Sequence, residues 1–203
     1  MNDDLQWPPE PGHRPPAPDP LRLIQRFLNT RDVEEGADAL DSPSALDAWL
    51  GEVGLADGSR ASTPDDLERA TALREAIRAF LASRGHAGVT SPVASLFKRA
   101  TVSLRFRVAA STGGSLELVP ASTGPGRALG TIVAVLLRAD ADGSLERLKV
   151  CANEQCRWAY WDGSRNRSGT WCTMAVCGNR VKGRAFRQRT AGRVAPARWT
   201  ARA

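Results

Sequence analysis

Hydrophobic positions repeat at helical spacing through the first half of the chain and then change period. Leu21, Ile24 and Leu28 fall on one side of a helix. Asp19-Pro20 before them reads as an N-cap followed by a proline in the first turn, where a missing N–H costs nothing. Ser42-Pro43 opens a second helix with Leu46, Trp49, Leu50 and Val53 as its stripe, and Thr63-Pro64 opens a third. Asp66 stands three residues after Thr63, much as in a capping box, and the third stripe runs Leu67, Ala70, Leu73, Ile77, Phe80 and Leu81 to a stop at Gly85. A short fourth helix is expected over 92–99. From residue 102 the period falls to two: Val102, Leu104, Phe106 and Val108 alternate with Ser103, Arg105 and Arg107, the pattern of a half-buried strand. Gly113-Gly114 turns this strand toward a partner over 116–119, making a hairpin. After a loop over 120–126, Leu129, Ile132, Val133 and Leu136 predict a helix over 128–138, and a last strand over 145–150 runs into Cys151. The expected fold is α+β: a helix-rich N-terminal domain with a small antiparallel sheet, followed by a small C-terminal module.

Composition sharpens the ends. Seven prolines between residues 7 and 20, with almost no apolar side chains, predict a disordered leader over 1–19. The longest apolar run, Ile132 to Leu137, falls well short of the roughly 20 residues a membrane helix needs. The first residues show no basic-then-apolar signal pattern, which places the protein in the cytoplasm, where thiols stay reduced. The 203 residues then divide into the leader, a domain over 20–146, a module over 147–190 and a basic flexible tail over 191–203.

Charge separates the two folded parts. The net +6 hides a balance of −5 over residues 1–146 and +11 over residues 147–203, which hold only two acidic residues. An acidic body with a strongly basic end implies that the end meets a polyanion.

All four cysteines lie in the basic end, spaced C-x4-C-x15-C-x4-C at Cys151, Cys156, Cys172 and Cys177. Two pairs on tight turns, joined by a loop, suit one structural Zn2+ held by four thiolates; an iron–sulfur cluster is the chemical rival, and two disulfides the redox one. Binding of this kind supplies on the order of 10–16 kcal/mol, enough to fold a short segment. Trp158, Tyr160, Trp161 and Trp171 provide an apolar core for it. Asp162-Gly163-Ser164 predicts a turn closed by side-chain bonds that exposes Arg165 and Arg167. After Cys172 the pattern is helical: Cys177, Val181 and Ala185 face the metal, and Arg180, Arg184 and Arg187 with Lys182 form a cationic stripe. The expected nucleic-acid contacts are therefore Arg165, Arg167, Arg180, Lys182, Arg184 and Arg187. A closed four-thiolate site, a basic module without histidine and the absence of a phosphate-binding glycine loop point away from an enzyme.

Cys177-Gly178-Asn179-Arg180, together with Cys151-Ala152-Asn153-Glu154-Gln155-Cys156, Trp158, Trp161-Asp162 and Trp171-Cys172, resembles the CGNR zinc-finger family over roughly residues 147–190. One departure is Gly169-Thr170, where members of that family often carry arginines. Upstream, Phe27-Leu28-Asn29-Thr30 and Leu73-Arg74-Glu75-Ala76-Ile77-Arg78 resemble the ABATE domain that precedes such fingers. The resemblance implies zinc on the four cysteines and a bacterial, stress-induced transcription regulator that contacts duplex DNA. In that setting the body senses a small molecule or forms a homodimer, and Asn29 and Thr30, polar on an apolar helix, are candidates for its ligand pocket. An RNA-binding or ribosome-associated protein, and an interaction adaptor with a structural zinc, are the other classes open at this point.

Overall fold

The computed structural model describes residues 14–84, 106–110 and 116–191. The helix expected over 92–99, the start of the strand at 102, the turn at 113–114 and the tail beyond 191 lie outside the described residues. The fold class is as expected. Among the described residues, α1 (Leu21–Leu28), α2 (Pro43–Glu52), α3 (Pro64–Ser83) and α4 (Gly124–Ala141) build the body.

Local signals set the starts of α2 and α3. Ser42 Oγ accepts from Ala45 N–H at 3.2 Å. Thr63 and Asp66 form the reciprocal capping box, with Pro64 in the first turn. α1 differs from expectation, because Pro20 occupies the cap position and no side chain caps it; Arg22 N–H donates to Pro18 O instead. α4 starts four residues earlier than expected and runs three further. Pro125 is harmless in its first turn, and Gly124 N–H donates to Asp57 Oδ2 at 2.8 Å. Gly124 sits at φ +57°, and a side chain there would meet Ser59 and Arg60 at 3.2 Å.

Two small sheets follow. β1 (Phe106–Ala110) and β2 (Leu116–Pro120) pair antiparallel with Val108 opposite Leu118, which is the expected hairpin. The strand expected over 145–150 is split. Gly143 turns at φ +77°, Asp142 Oδ1 accepts from Ser144 N–H at 2.8 Å, and Ser144–Arg147 coil into a 3-10 turn. Only β3 (Leu148–Val150) is extended, paired antiparallel with β4 (Ala159–Trp161) so that Val150 faces Ala159. The described chain ends in a π-turn, Met174–Gly178, and the helix α5 (Asn179–Ala191).

The β3–β4 ribbon belongs to two cores at once. Successive strand residues point to opposite faces. Leu148, Val150 and Ala159 lie in the body core with Phe27, Leu28, Leu73, Ile77 and Ile132, and Trp161 packs against it. The alternate residues Cys151, Trp158 and Tyr160 form a second core with Cys172 and Cys177. The boundary expected at residue 147 therefore falls at the edge of a wall that both cores share.

Polar side chains fasten that wall to the helices. The ladder bonds Cys151 N–H to Trp158 O (2.9 Å) and Asp162 N–H to Arg147 O (2.7 Å) leave Ala159 with its N–H and C=O turned outward. Asn29 takes both: Ala159 N–H donates to Oδ1 at 2.8 Å, and Nδ2 donates to Ala159 O at 2.9 Å. Arg78, buried on α3, donates to Leu28 O at 2.6 Å and to Arg157 O at 2.7 Å. One turn earlier, Arg74 is also buried, in a two-pronged pair with Asp38 (2.7 and 2.6 Å) and a bond to Thr30 Oγ1 (2.9 Å). No helix among the described residues is long and apolar enough to cross a membrane.

Two outcomes follow from these contacts. Asn29→Ala strands the buried Ala159 N–H and leaves Ala159 O only the long bond from Gln25 Nε2 (3.5 Å), and should destabilise the metal-loaded protein by about 1–3 kcal/mol in urea unfolding; a loss below about 0.5 kcal/mol would contradict the fastening role. Hydrogen bonds from Arg60 hold the Asp66 carboxyl well below its ordinary range, despite burial. Its unfolded counterpart takes up a proton first, near pH ~4, so this contribution is complete at neutral pH and is lost as pH falls below about 4. Asp66→Asn should therefore flatten the decline of stability on acidification, and an unchanged decline would contradict the assignment.

Candidate metal centre

Three local devices bring the cysteines together. The ribbon delivers Cys151 at the end of β3. A tight turn returns Cys156 beside it, with Asn153 O accepting from Cys156 N–H (2.8 Å) and Arg157 N–H (3.0 Å). The π-turn then lifts Cys177 back toward Cys172, closed by Gly178 N–H to Thr173 O at 3.1 Å. A Cβ on Gly178 would come within 2.4 Å of Met174 Sδ and 3.4 Å of the Trp171 ring, so the glycine leaves the space in which this turn folds.

The four sulfurs lie within 4.8 Å of one another, and both Cys156–Cys172 and Cys172–Cys177 are 3.6 Å apart. All four are free thiols rather than disulfides. A tetrahedron with metal–sulfur bonds of about 2.3 Å has sulfur–sulfur edges of roughly 3.8 Å, so the spacing is that of one metal ion. The electrostatics agree. Mutual contact of the buried thiols lets one ionise readily, with Cys151 lowered by bonds from Cys156 and Cys172, and pushes Cys156 and Cys172 up. Crowded thiols cannot all ionise without a cation among them.

A second layer holds the ligands. Asn153, buried at 2 % exposure, directs Nδ2 at Cys177 Sγ (3.7 Å), while its Oδ1 accepts from Arg184 (3.0 Å). Asp162 is fully buried and closes the loop between the pairs. Its carboxylate accepts from Lys149 Nζ (2.8 Å), Ser164 N–H (3.1 Å) and Gly169 N–H (2.8 Å). Burial alone would raise its pKa, but these bonds hold it well below the ordinary range. A Cβ at Gly169 would strike that carboxylate at 2.8 Å, which is the local reason for glycine there. Arg14 completes the layer: it donates to Cys172 O (2.6 Å) and Trp171 O (3.3 Å) and lies 4.8 Å over the Tyr160 ring. The last residues of the expected disordered leader are thus held at both ends, Arg14 on the finger and Ala17 in the body core, where its N–H donates to Gln25 Oε1 at 2.6 Å.

The other expected site residues divide. Arg165, Lys182 and Arg187 are exposed. Arg180 and Arg167 are exposed but ion-paired, to Glu34 and Glu146. Arg184 points inward to Asn153 and serves the metal centre. Asn29 and Thr30 are buried, with their side chains bonded to Ala159, Phe27 O and Arg74. A groove runs between the end of α3 and the free edge of β3, lined by Leu81, Arg84, Leu148, Val150 and Arg167. Asp162 closes its turn as expected, whereas Asn153, Arg14 and the buried Arg74 and Arg78 are supports that spacing did not reveal.

Residues 21–149 match the family ABATE, described as "Putative stress-induced transcription regulator". Residues 147–190 match the family described as CGNR zinc finger. The two matches overlap on β3, the strand the two cores share. No curated protein matches the chain.

Cys172→Ser should abolish stoichiometric metal binding, measured by elemental analysis of the purified full chain; full metal content would contradict the ligand assignment. Asn153→Ala should retain the metal but weaken it about 10–100-fold in a chelator competition, the usual effect of losing an outer-layer partner. Unaltered affinity would leave Asn153 without that role.

Proposed function

Since the chain belongs to the ABATE family and ends in a CGNR zinc finger, we propose that it is a DNA-binding transcription regulator with one structural zinc. The observation that carries this reading is the division of labour on α5. Its inner face is tied to the metal centre through Arg184 and Asn153, while Lys182, Arg187 and Arg189 stand exposed, without an ion pair among the described residues. Two acidic residues in the whole basic end, one of them the buried Asp162, leave that surface positive. Such a surface releases counterions from a phosphate backbone.

Four thiolates in a tetrahedral arrangement favour zinc by chemistry: a borderline-soft, redox-inert ion of tetrahedral preference, with every position filled by protein. When bound, zinc fixes the Cys156 turn and the start of α5; a closed site offers no position for a substrate, which supports a binding rather than a catalytic role. The body reaches the same helix through Glu34, paired with Arg180. A ligand or second copy that repositions the α1–α2 loop would change the charge offered to DNA, and this is the route by which the body regulates the finger.

Duplex binding by the zinc-loaded chain should fall steeply with salt, and Lys182→Ala with Arg187→Ala should reduce the slope of log K against log salt by about 2 at unchanged zinc content. Unchanged affinity and slope would sink the interface. Stronger binding to structured RNA than to duplex DNA would replace this reading with an RNA-binding one.

A further inference from the structure

The outer face of α5 is not uniformly basic. At ~100° per residue, Asn179, Gly183, Phe186 and Thr190 follow one another at i, i+4, i+7 and i+11 along a single line. This line is opposite the half-buried Val181, Arg184 and Ala185, of which Arg184 bonds Asn153 beside the metal centre. It carries no charge and extends about 16 Å. Arg180 and Arg187 flank it on one side and Lys182 and Arg189 on the other, each pair roughly 70–90° away around the helix.

Phe186 lies at the centre of this strip and is 60 % exposed, more than any other large apolar side chain among the described residues. A single exposed phenylalanine is ordinary on a protein surface. A phenylalanine on an uncharged line between two cationic rows is a different arrangement, because it matches a groove with two phosphate walls and a floor of base edges. The neighbours fit such a floor. Asn179 is held by the bond from Nδ2 to Ala175 O (3.0 Å), which leaves Oδ1 and the second amide hydrogen for an adenine edge. Thr190 commits its hydroxyl to Phe186 O and Arg187 O, both at 3.0 Å, and so offers its methyl group. Gly183 adds no side chain of its own beside Phe186, and Arg187 Nη1 lies 3.5 Å from where its Cβ would stand, bringing one cationic row up to the edge of the strip.

We propose that α5 lies in the major groove of B-form DNA with this strip on the base edges. Phe186 packs on a thymine methyl group, Asn179 faces an adenine, and Arg187 on one side and Lys182 with Arg189 on the other take the phosphates of the two walls, while Arg180 is held by Glu34. The proposal rests on the DNA-binding reading and adds to it which side chains read sequence and which pairs they read. A groove about 12 Å wide admits a helix of this diameter, whereas the deep, narrow major groove of A-form RNA does not.

Thymine-to-uracil replacement tests the contact, since it removes only the methyl group. The zinc-loaded full chain first selects its preferred duplexes from a random pool, and each selected thymine is then replaced by uracil. The expected result is selection of sites with A·T pairs and about fourfold weaker binding when the contacted methyl is removed, the effect of one buried methyl group. Phe186→Ala should bind the thymine and uracil duplexes equally, with the salt slope of the parent protein, and Phe186→Leu should restore part of the difference. Selected sites without thymine, indifference of the parent protein to uracil, or full uracil sensitivity in Phe186→Ala would each overturn the proposal while leaving DNA binding intact. Failure of the parent protein to bind any duplex would overturn both.

Discussion

A two-stranded ribbon of three residues per strand has two faces, and in this protein each face is the wall of a different core. Leu148, Val150, Ala159 and Trp161 close the body, while Cys151, Trp158 and Tyr160 close the metal centre. The alternation is fixed by the pleat, so neither set can move without the other. A slip of one residue in β3 would turn Val150 to the metal side and Cys151 into the helices. The placement of the thiolates, the mounting of α5 and the link between body and finger all depend on that register.

A ribbon this short cannot hold its register by ladder bonds alone. Its outer edge is held from the body, where the amide of Asn29 pairs with Ala159 as a neighbouring strand would, and Arg78 binds both Leu28 O and Arg157 O. The metal closes the opposite face, and Arg14 clamps it over Tyr160. Two stretches that resemble the ABATE domain, Phe27–Thr30 and Leu73–Arg78, therefore supply the joint itself. Around the joint, the acidic body and basic finger meet at Glu34–Arg180 and Glu146–Arg167. These exposed pairs add little stability, and salt screens them. They leave Arg180 and Arg167 of the finger paired with carboxylates of the body.

What could be read from the sequence was local. The caps at Ser42 and Thr63, the helical stripes and the hairpin depend on residues within a few positions of each other. The cysteine spacing likewise places two ligands on each turn. What could not be read was long-range. Arg74 and Arg78 lie on the face of α3 that a hydrophobic count assigns to the core, yet they are buried because Asp38, Glu75 and carbonyl oxygens from other elements meet them. Asn29 gave the right signal, a polar side chain on an apolar helix, but its partner is 130 residues away in β4. Arg184 shared the cationic stripe of its helix and turned inward because Asn153 offers an acceptor. The early start of α4 depended on Asp57, which no local pattern connects to Gly124.

The central claim is that the metal centre and the helical body are one cooperative unit joined through β3 and β4. Amide hydrogen exchange of the full chain, followed with zinc bound and after its removal by a chelator, tests this most directly. The shared wall predicts that protection falls along residues 148–178 and also in α1 and α3, with Ala159 and the Leu21–Leu28 amides losing it together. Protection lost only within residues 151–178, with α1 and α3 unchanged, would show two independent units and contradict the account.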